Sequence, residues 1–379
     1  MRSTLLVSIA LLSCGCGDDG QPPGAPVLSE PLEVVPFSAP LDGVRVQAAN
    51  DGLDIITHGE RTYLAFRTSA SWFADADTEI HVVSAVGETR WEPEVTFSTG
   101  DDLREPRFLS FDGKLSVFLG RFGTEQAEPE PLGALVSTLT DGNWTEPVEV
   151  LEPGFIVSRL HVQNGEAYMT AWGRDADAWS VQFSTSDDGV SWRPVRTEGA
   201  AVVTGGATET DVLFRRDGSL LSVSANPSGD ELGWGSRLCH AASIDAAWTC
   251  TGDPRRFDGA VLFTQGSNEY LVARRNVTET GAYDLGRDDL AADLQTQLYV
   301  QDYDQQPKRC ALWRIGASDV PALVADFPSR GDTCAASVLR RDDDRIAVYY
   351  GSSPIDGPDV ALRVGQAGAS KIHRVVVHF

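Results

Sequence analysis

Carboxylates and guanidiniums recur at one place in a repeated pattern of this 379-residue chain. Six times an apolar run, a polar or glycine turn and a second apolar run follow one another: Leu53–Arg67, Arg107–Arg121, Leu160–Arg174, Val212–Asn226, Val261–Arg275 and Val338–Ser352. At or just before their openings stand Asp54, then Arg104, Glu105 and Arg107, then Arg159 and His161, Glu209 and Asp211, Asp258, and Asp332. A strand with a purely structural role would open apolar. If the six segments share an axis, these groups meet there. Carboxylates in a cleft can give and take protons, and arginine offers a planar fork for anions. Glu105, Glu209, Asp258 and Asp332 are the acid/base candidates, and Arg67, Arg104, Arg107, Arg159 and Arg274 the ligand-binding ones. The set suits a polar ligand rich in hydroxyls. It also fits a plainer role, in which Arg–Asp and Arg–Glu pairs merely fill and solvate an axial channel. Arg67, Arg121, Arg174, Arg274 and Arg275, which end second runs, admit both roles.

The elements that would position these groups are β-hairpins. In VLFRRDGSLLSVSAN, strand, Asp-Gly turn and strand read directly. A second signal has a similar period. Trp91, Trp144, Trp192 and Trp248 each follow a short polar turn and lie 53, 48 and 56 residues apart. Around the third, Asp187 can accept hydrogen bonds from backbone amides two residues on, Gly189 can take positive φ, and Trp192 starts the outgoing strand. A period near 50 residues in an all-β chain indicates a propeller of four-stranded antiparallel blades, here six. Five or seven blades, or a pair of β-sandwiches built from tandem hairpins, are the alternatives. Helical signal is confined to Asp288–Leu298, where Leu290, Leu294 and Leu298 recur every four residues. It lies in a long insertion, Asn276–Arg309, that is either a lid over one mouth or a surface decoration.

Residues 1–13 read as a signal peptide, with Arg2 and an apolar Leu5–Leu12 too short to span a bilayer. Leu11-Leu12-Ser13-Cys14 resembles a bacterial lipobox, with Cys14 lipidated; Cys16 would put Ser13 where an aliphatic residue is wanted, and a plain secretory signal is the other possibility. Residues 14–31 read as a flexible tether and 32–379 as the propeller. Export to the cell envelope makes Cys239, Cys250, Cys310 and Cys334 candidates for two disulfides, Cys239–Cys250 on neighbouring strands and Cys310–Cys334 between blades five and six. Their spacing matches no common zinc site. The charge of −24, from 31 basic and 55 acidic residues, argues against nucleic acid as a partner. Membrane contact is expected only through the lipid anchor, and the chain as a monomer. With no H-E-x-x-H, P-loop, G-x-G-x-x-G or G-x-S-x-G, neither metal nor cofactor is expected.

Thr185-Ser186-Asp187-Asp188-Gly189-Val190-Ser191-Trp192 fits the Asp-box (BNR repeat) of sialidase-like propellers, and the other three Trp turns are worn versions of it. Arg104-Glu105-Pro106 and the hairpin after it resemble the R-x-P segment of sialidases, which implies that Arg104 belongs to a triad gripping a sugar carboxylate. Glu209 resembles the glutamate that activates the nucleophile. Gly331–Cys334 and Val348–Tyr350 resemble the last-blade segment that carries the tyrosine nucleophile. The chain departs from that pattern: Cys334-Ala335 stands where Tyr-Ser is expected, and Ser224-Ala225-Asn226 where a second triad arginine is expected. Tyr349 or Tyr350 could approach the axis, and strand alternation allows only one of them to face it. Three functions follow: a glycoside hydrolase, inverting if it lacks the tyrosine; a propeller that binds a saccharide or other anionic ligand without catalysis; or a protein-binding scaffold.

Overall fold

The computed structural model describes residues 25–88, 90–125, 130–175, 178–342 and 344–379. Cys14, the signal peptide and most of the expected tether lie outside them. Six antiparallel sheets form a closed ring, a six-bladed β-propeller. The innermost strands are Ala49–His58, Asp102–Phe111, Phe155–Gln163, Thr210–Phe214, Val261–Gln265 and Thr333–Asp342, each beside the next, with the last returning to the first. All six expected hairpins are the first and second strands of blades. Blade six takes its outer strands from the start of the chain: Val27–Leu28 and Leu32–Val35 both pair with Lys371–His378. Among the described residues, pairing therefore starts at Val27, inside the segment expected as tether.

The second strand of each blade is covered on both faces, and its sequence is correspondingly apolar without alternation. Leu64, Ala65 and Phe66 are fully buried, as are Val117, Phe118 and Leu119, and Leu271, Val272 and Ala273. Five of the six spaces between blades are closed by tryptophan. Trp144 packs between blades one and two, Trp192 between two and three, Trp248 between three and four, and Trp91 between one and six. Trp313, on the third strand of blade five, does the same between four and five. A large flat ring filling such a wedge is the physical reason for the tryptophan period.

The turn before Trp192 forms with Gly189 at φ 77°, but its hydrogen-bonding carboxylate is not Asp187. Asp188 accepts from the backbone N–H groups of Val190 (2.8 Å) and Ser191 (2.7 Å), which hold its carboxyl far below the usual range. Asp187 points to solvent and pairs with Arg193 at 3.0 Å. Two adjacent aspartates cannot be told apart by composition.

The inner strands carry bulges at the same level. Register slips between Asp51 and Asp54, between Arg104 and Arg107, and between Thr333 and Ala336. Gly52, Glu105 and Cys334 take positive φ there (48°, 50° and 74°), as does Gly259 (63°) just before the inner strand of blade five. A Cβ on Gly259 would lie 2.7 Å from the Cys334 carbonyl oxygen, so only glycine fits. The bulges break the two-residue alternation of a strand and let near neighbours such as Arg104, Glu105 and Arg107 face one space.

Both disulfides form as expected. Cys239 and Cys250 sit opposite each other on neighbouring strands of blade four, and Cys310–Cys334 joins blade five to blade six. The insertion helix runs over Ala292–Gln305 (α1), four residues later in its start and seven in its end than expected. Its buried face is Gln295, Tyr299 and Tyr303, one position off the leucine stripe, and Leu294 is exposed. The helix packs through its tyrosines, on Tyr283, Trp234 and Leu362, and the Tyr303 hydroxyl reaches past this cluster to the polar mouth.

Candidate functional site

A cavity of about 640 Å³ lies at one mouth of the ring, and all nine acid/base and ligand-binding candidates line it. The geometry then divides the wider set. Asp54 and Asp211 belong to the axis. Asp54 accepts from the Phe108 N–H (2.7 Å) and the Ser337 hydroxyl (2.6 Å), joining blades two and six to blade one. Asp211 joins His161 (2.7 Å) to the Leu262 N–H (2.6 Å). Arg107 donates to the Ser158 carbonyl at 2.6 Å and to Glu105. Arg159 crosses to the carbonyls of Gly259, Ala260 and Ala336 at 3.0 to 3.3 Å, and burial beside Arg107 lowers it to about 10. These two arginines face the cavity, but their main partners are the backbone carbonyls of other blades. They stitch the axis together, which is the plainer role weighed for them.

The second cluster is built around Asp102, which is fully buried and escaped sequence reasoning because it falls before the expected strand. It accepts from Arg67 Nη2 (3.1 Å), Arg104 Nε (2.7 Å) and the Thr78 hydroxyl (3.0 Å). Arg67 also reaches Asp51 at 3.5 Å and the carbonyls of Ser71 and Phe73 at 3.2 Å. Arg104 lies over Trp72, 4.5 Å from its ring centre, and donates to the Trp72 carbonyl.

The third cluster belongs to blades five and six and the insertion. Asp258 accepts from Arg256 Nε (2.6 Å) and the Tyr303 hydroxyl (2.8 Å), and pairs with Arg274 at 3.5 Å. Arg274 also meets Asp332 at 3.3 Å and donates to the Thr333 carbonyl at 2.6 Å. Arg256 and Tyr303 were not anticipated. Only the length of the insertion hinted that it would deliver a side chain here. Among the arginines ending second strands, Arg67, Arg174 and Arg274 face the cavity. Arg121 and Arg275 pair with Asp101 and Asp326 outside it. Tyr349 and Tyr350 are both fully buried and do not line the cavity; they donate to Glu88 and to the Pro328 carbonyl.

Protonation preferences separate the carboxylates. Burial would raise Glu105, but the charges of Arg107 and Arg159 outweigh it and hold the group low. Asp258 is likewise held low, against its burial, by Arg256, Arg274 and the Tyr303 hydroxyl. Glu209 is raised, by burial and then by the negative charges of Glu105 and Asp258; its one hydrogen bond is from the Gly259 N–H at 2.7 Å. Among the described residues no cation pairs with it within 4 Å. Burial pushes Asp332 up to about 7 despite Arg274, and raises Asp51 as well. Two neighbouring carboxylates pushed in opposite directions are the arrangement that acid/base chemistry needs. Among the described residues no three His, Cys, Asp or Glu side chains are grouped to hold a metal ion.

No family model matches the chain, and no curated protein is similar to it in sequence. Solved structures are similar in fold. A protein of unknown function from Dyadobacter fermentans matches with a TM-score of 0.61 at 14% identity, over 87% of this chain and 95% of its own. Trypanosoma rangeli sialidase in complex with the inhibitor DANA matches with a TM-score of 0.58 at 15% identity over 88% of this chain. The chain spans about half the length of that sialidase structure, 55%. The same sialidase in complex with sialic acid gives 0.53 at 14%. At this identity the likeness establishes a sialidase-like six-bladed propeller fold.

Proposed function

We propose that this chain is an exported, lipid-anchored glycoside hydrolase that cleaves a saccharide in the axial cavity, with Glu209 as general acid and Glu105 as its ionised partner. The observation that carries the reading is this pair. Glu209, raised by burial and by the charge of Glu105, keeps a proton to give to the departing glycosidic oxygen. Glu105, held low by Arg107 and Arg159, remains a carboxylate able to take a proton from a water that attacks the anomeric carbon. Water thus adds across the bond with two carboxyl groups and no tyrosine nucleophile, the inverting scheme. Asp258 and Asp332 hold Arg256 and Arg274 in place beside them. The sialidase structures of similar fold hold DANA and sialic acid, which supports a saccharide as ligand. Two disulfides accord with an oxidising compartment and with lipidation at Cys14, and no helix among the described residues is long and apolar enough to cross a membrane.

A binding propeller without catalysis is the second reading. It is favoured by the engagement of Arg67, Arg104, Arg107 and Arg159 with protein partners, which leaves no open three-arginine clamp. A panel of fluorogenic glycosides, including a sialoside, separates the two. The hydrolase reading expects turnover of at least one glycoside that is lost in both Glu209→Gln and Glu105→Gln. Silence of the folded wild type across the panel, with saccharide binding intact, establishes the binding reading instead.

A further inference from the structure

One side of the cavity is aromatic and takes no part in the chemistry assigned to Glu209 and Glu105. Trp72, Phe122, Trp172 and Trp179, from blades one to three, all line it. The Arg104 guanidinium lies 4.5 Å from the Trp72 ring centre and 5.8 Å from that of Phe122. Phe122 and Trp172 are 6.4 Å apart, Trp172 and Trp179 5.4 Å. The Arg174 guanidinium then lies 4.7 Å over Trp179. Rings and guanidinium planes therefore follow one another without a break, from the buried Arg104 cluster to the exposed Arg174.

Phe122 is a buried core residue, but packing does not account for the three tryptophans. The tryptophans that hold the blades together, Trp144, Trp192, Trp248 and Trp313, are wedged into the core with their indole N–H groups buried. Trp72, Trp172 and Trp179 are partly buried, as Trp144, Trp192 and Trp248 are, but their indole N–H groups stay accessible, and among the described residues these donate to no protein atom. A row of half-exposed indoles along a cavity wall, bordered by polar groups, is a ligand surface rather than a core. The chemistry that matches it is the pyranose ring, whose C–H face packs on an aromatic plane while its rim hydroxyls meet indole N–H and guanidinium donors. Trp172 and Trp179, 5.4 Å apart and tilted by 52°, set two partly exposed rings side by side, and Trp72 adds a third beyond the buried Phe122.

We infer that the strip is a row of subsites for a linear oligosaccharide, holding sugar units beyond the one at Glu209, so that the ligand is an extended chain rather than a lone terminal sugar. This rests on reading the cavity as a saccharide site.

The test is calorimetric titration of the full-length protein with tetrasaccharides and their monosaccharides: oligogalacturonate, hyaluronan, oligosialic acid, xylotetraose and maltotetraose. At least one tetrasaccharide should bind roughly tenfold or more tighter than its monosaccharide, and Trp179→Ala should lose roughly five- to tenfold of that gain, one stacking contact. Trp179→Phe, which keeps a ring, should retain most of it, and Trp172→Ala should parallel Trp179→Ala. Whether the chain that binds is acidic or neutral identifies it, and either supports the inference. Equal affinity for tetramer and monomer, no binding of any tetramer, or binding indifferent to Trp179→Ala overturns it. Glu209→Gln separates this from the hydrolase reading. Chain binding retained while small aryl glycosides are never cleaved defeats only that reading. Cleavage that depends on Glu209, without any preference for length, defeats only the strip.

Discussion

Replacing Asp102 by asparagine tests whether one buried carboxylate holds the arginine cluster of blades one and two. Asp102 is completely buried and faces Arg67 at 3.1 Å and Arg104 at 2.7 Å, themselves nearly buried. The substitution keeps the shape but leaves two guanidiniums with Asp51, 3.5 Å from Arg67, as the nearest remaining counter-charge. Removing one partner of a buried ion pair costs about 3–5 kcal/mol. Because Asn still accepts hydrogen bonds and Asp51 remains, the lower end, about 3 kcal/mol, is expected. A propeller of about 350 residues unfolds with an entropy of about 0.7 kcal/mol/K, so the melting temperature should fall by about 4 °C. The matched control is the preceding residue. Asp101 pairs with Arg121 at 2.8 Å, but both side chains are a quarter exposed, so Asp101→Asn should cost under about 1 kcal/mol. Calorimetry and urea titration, with disulfides intact, measure both. If the two substitutions shift the midpoint equally, the burial argument is wrong and Arg67 and Arg104 are held by their carbonyl contacts instead.

Asp332 gives a pH signature. Its folded pKa of about 7 lies above the ordinary 3.8, so between these values the folded form holds a proton that the unfolded chain has released. Stability from this group is present below pH 4 and is lost as pH rises toward 7; melting curves across that range should flatten in Asp332→Asn, and an unchanged slope rules the assignment out. Tyr303→Phe removes a 2.8 Å hydrogen bond to the Asp258 carboxylate, which should cost about 1.5–3 kcal/mol and raise the Asp258 pKa; carboxyl NMR titration checks the direction. Removing Cys239–Cys250, which closes a short loop on outer strands, should cost about 3 kcal/mol and leave saccharide affinity unchanged. Removing Cys310–Cys334, whose second cysteine lines the cavity, should cost slightly more and also weaken binding.

The repeat of the fold was legible because tryptophan wedges and apolar middle strands leave a period in the chain. Trp91, Trp144, Trp192 and Trp248 each mark a third-to-fourth-strand turn because a large ring there fills the gap to the neighbouring blade. The charged openings of the inner strands were legible too, and all nine selected residues reach one cavity. What could not be read was which donor points where. Arg107 and Arg159 look like Arg104 in sequence, yet they bind carbonyls across the axis, and that depends on distances between blades far apart in the chain. Asp102 was missed because the inner strand opens there, five residues before the expected run at Arg107. Tyr303 was missed because it lies beyond the expected end of the helix and leucines suggested an apolar contact face for α1, whereas this tyrosine meets Asp258, Arg256 and Lys308.

The pairing of Val27–Leu28 and Leu32–Val35 with Lys371–His378 makes the earliest part of the ring wait for the latest. A chain made from its amino end carries this outer segment without its partner until Lys371–His378 has been made, although blades one to five can already pair within themselves. The finished circle is thus a clasp whose two halves are separated in synthesis by the five other blades. Loss of either half would leave five complete blades and an open edge, so damage confined to an end of the chain should be felt at the centre.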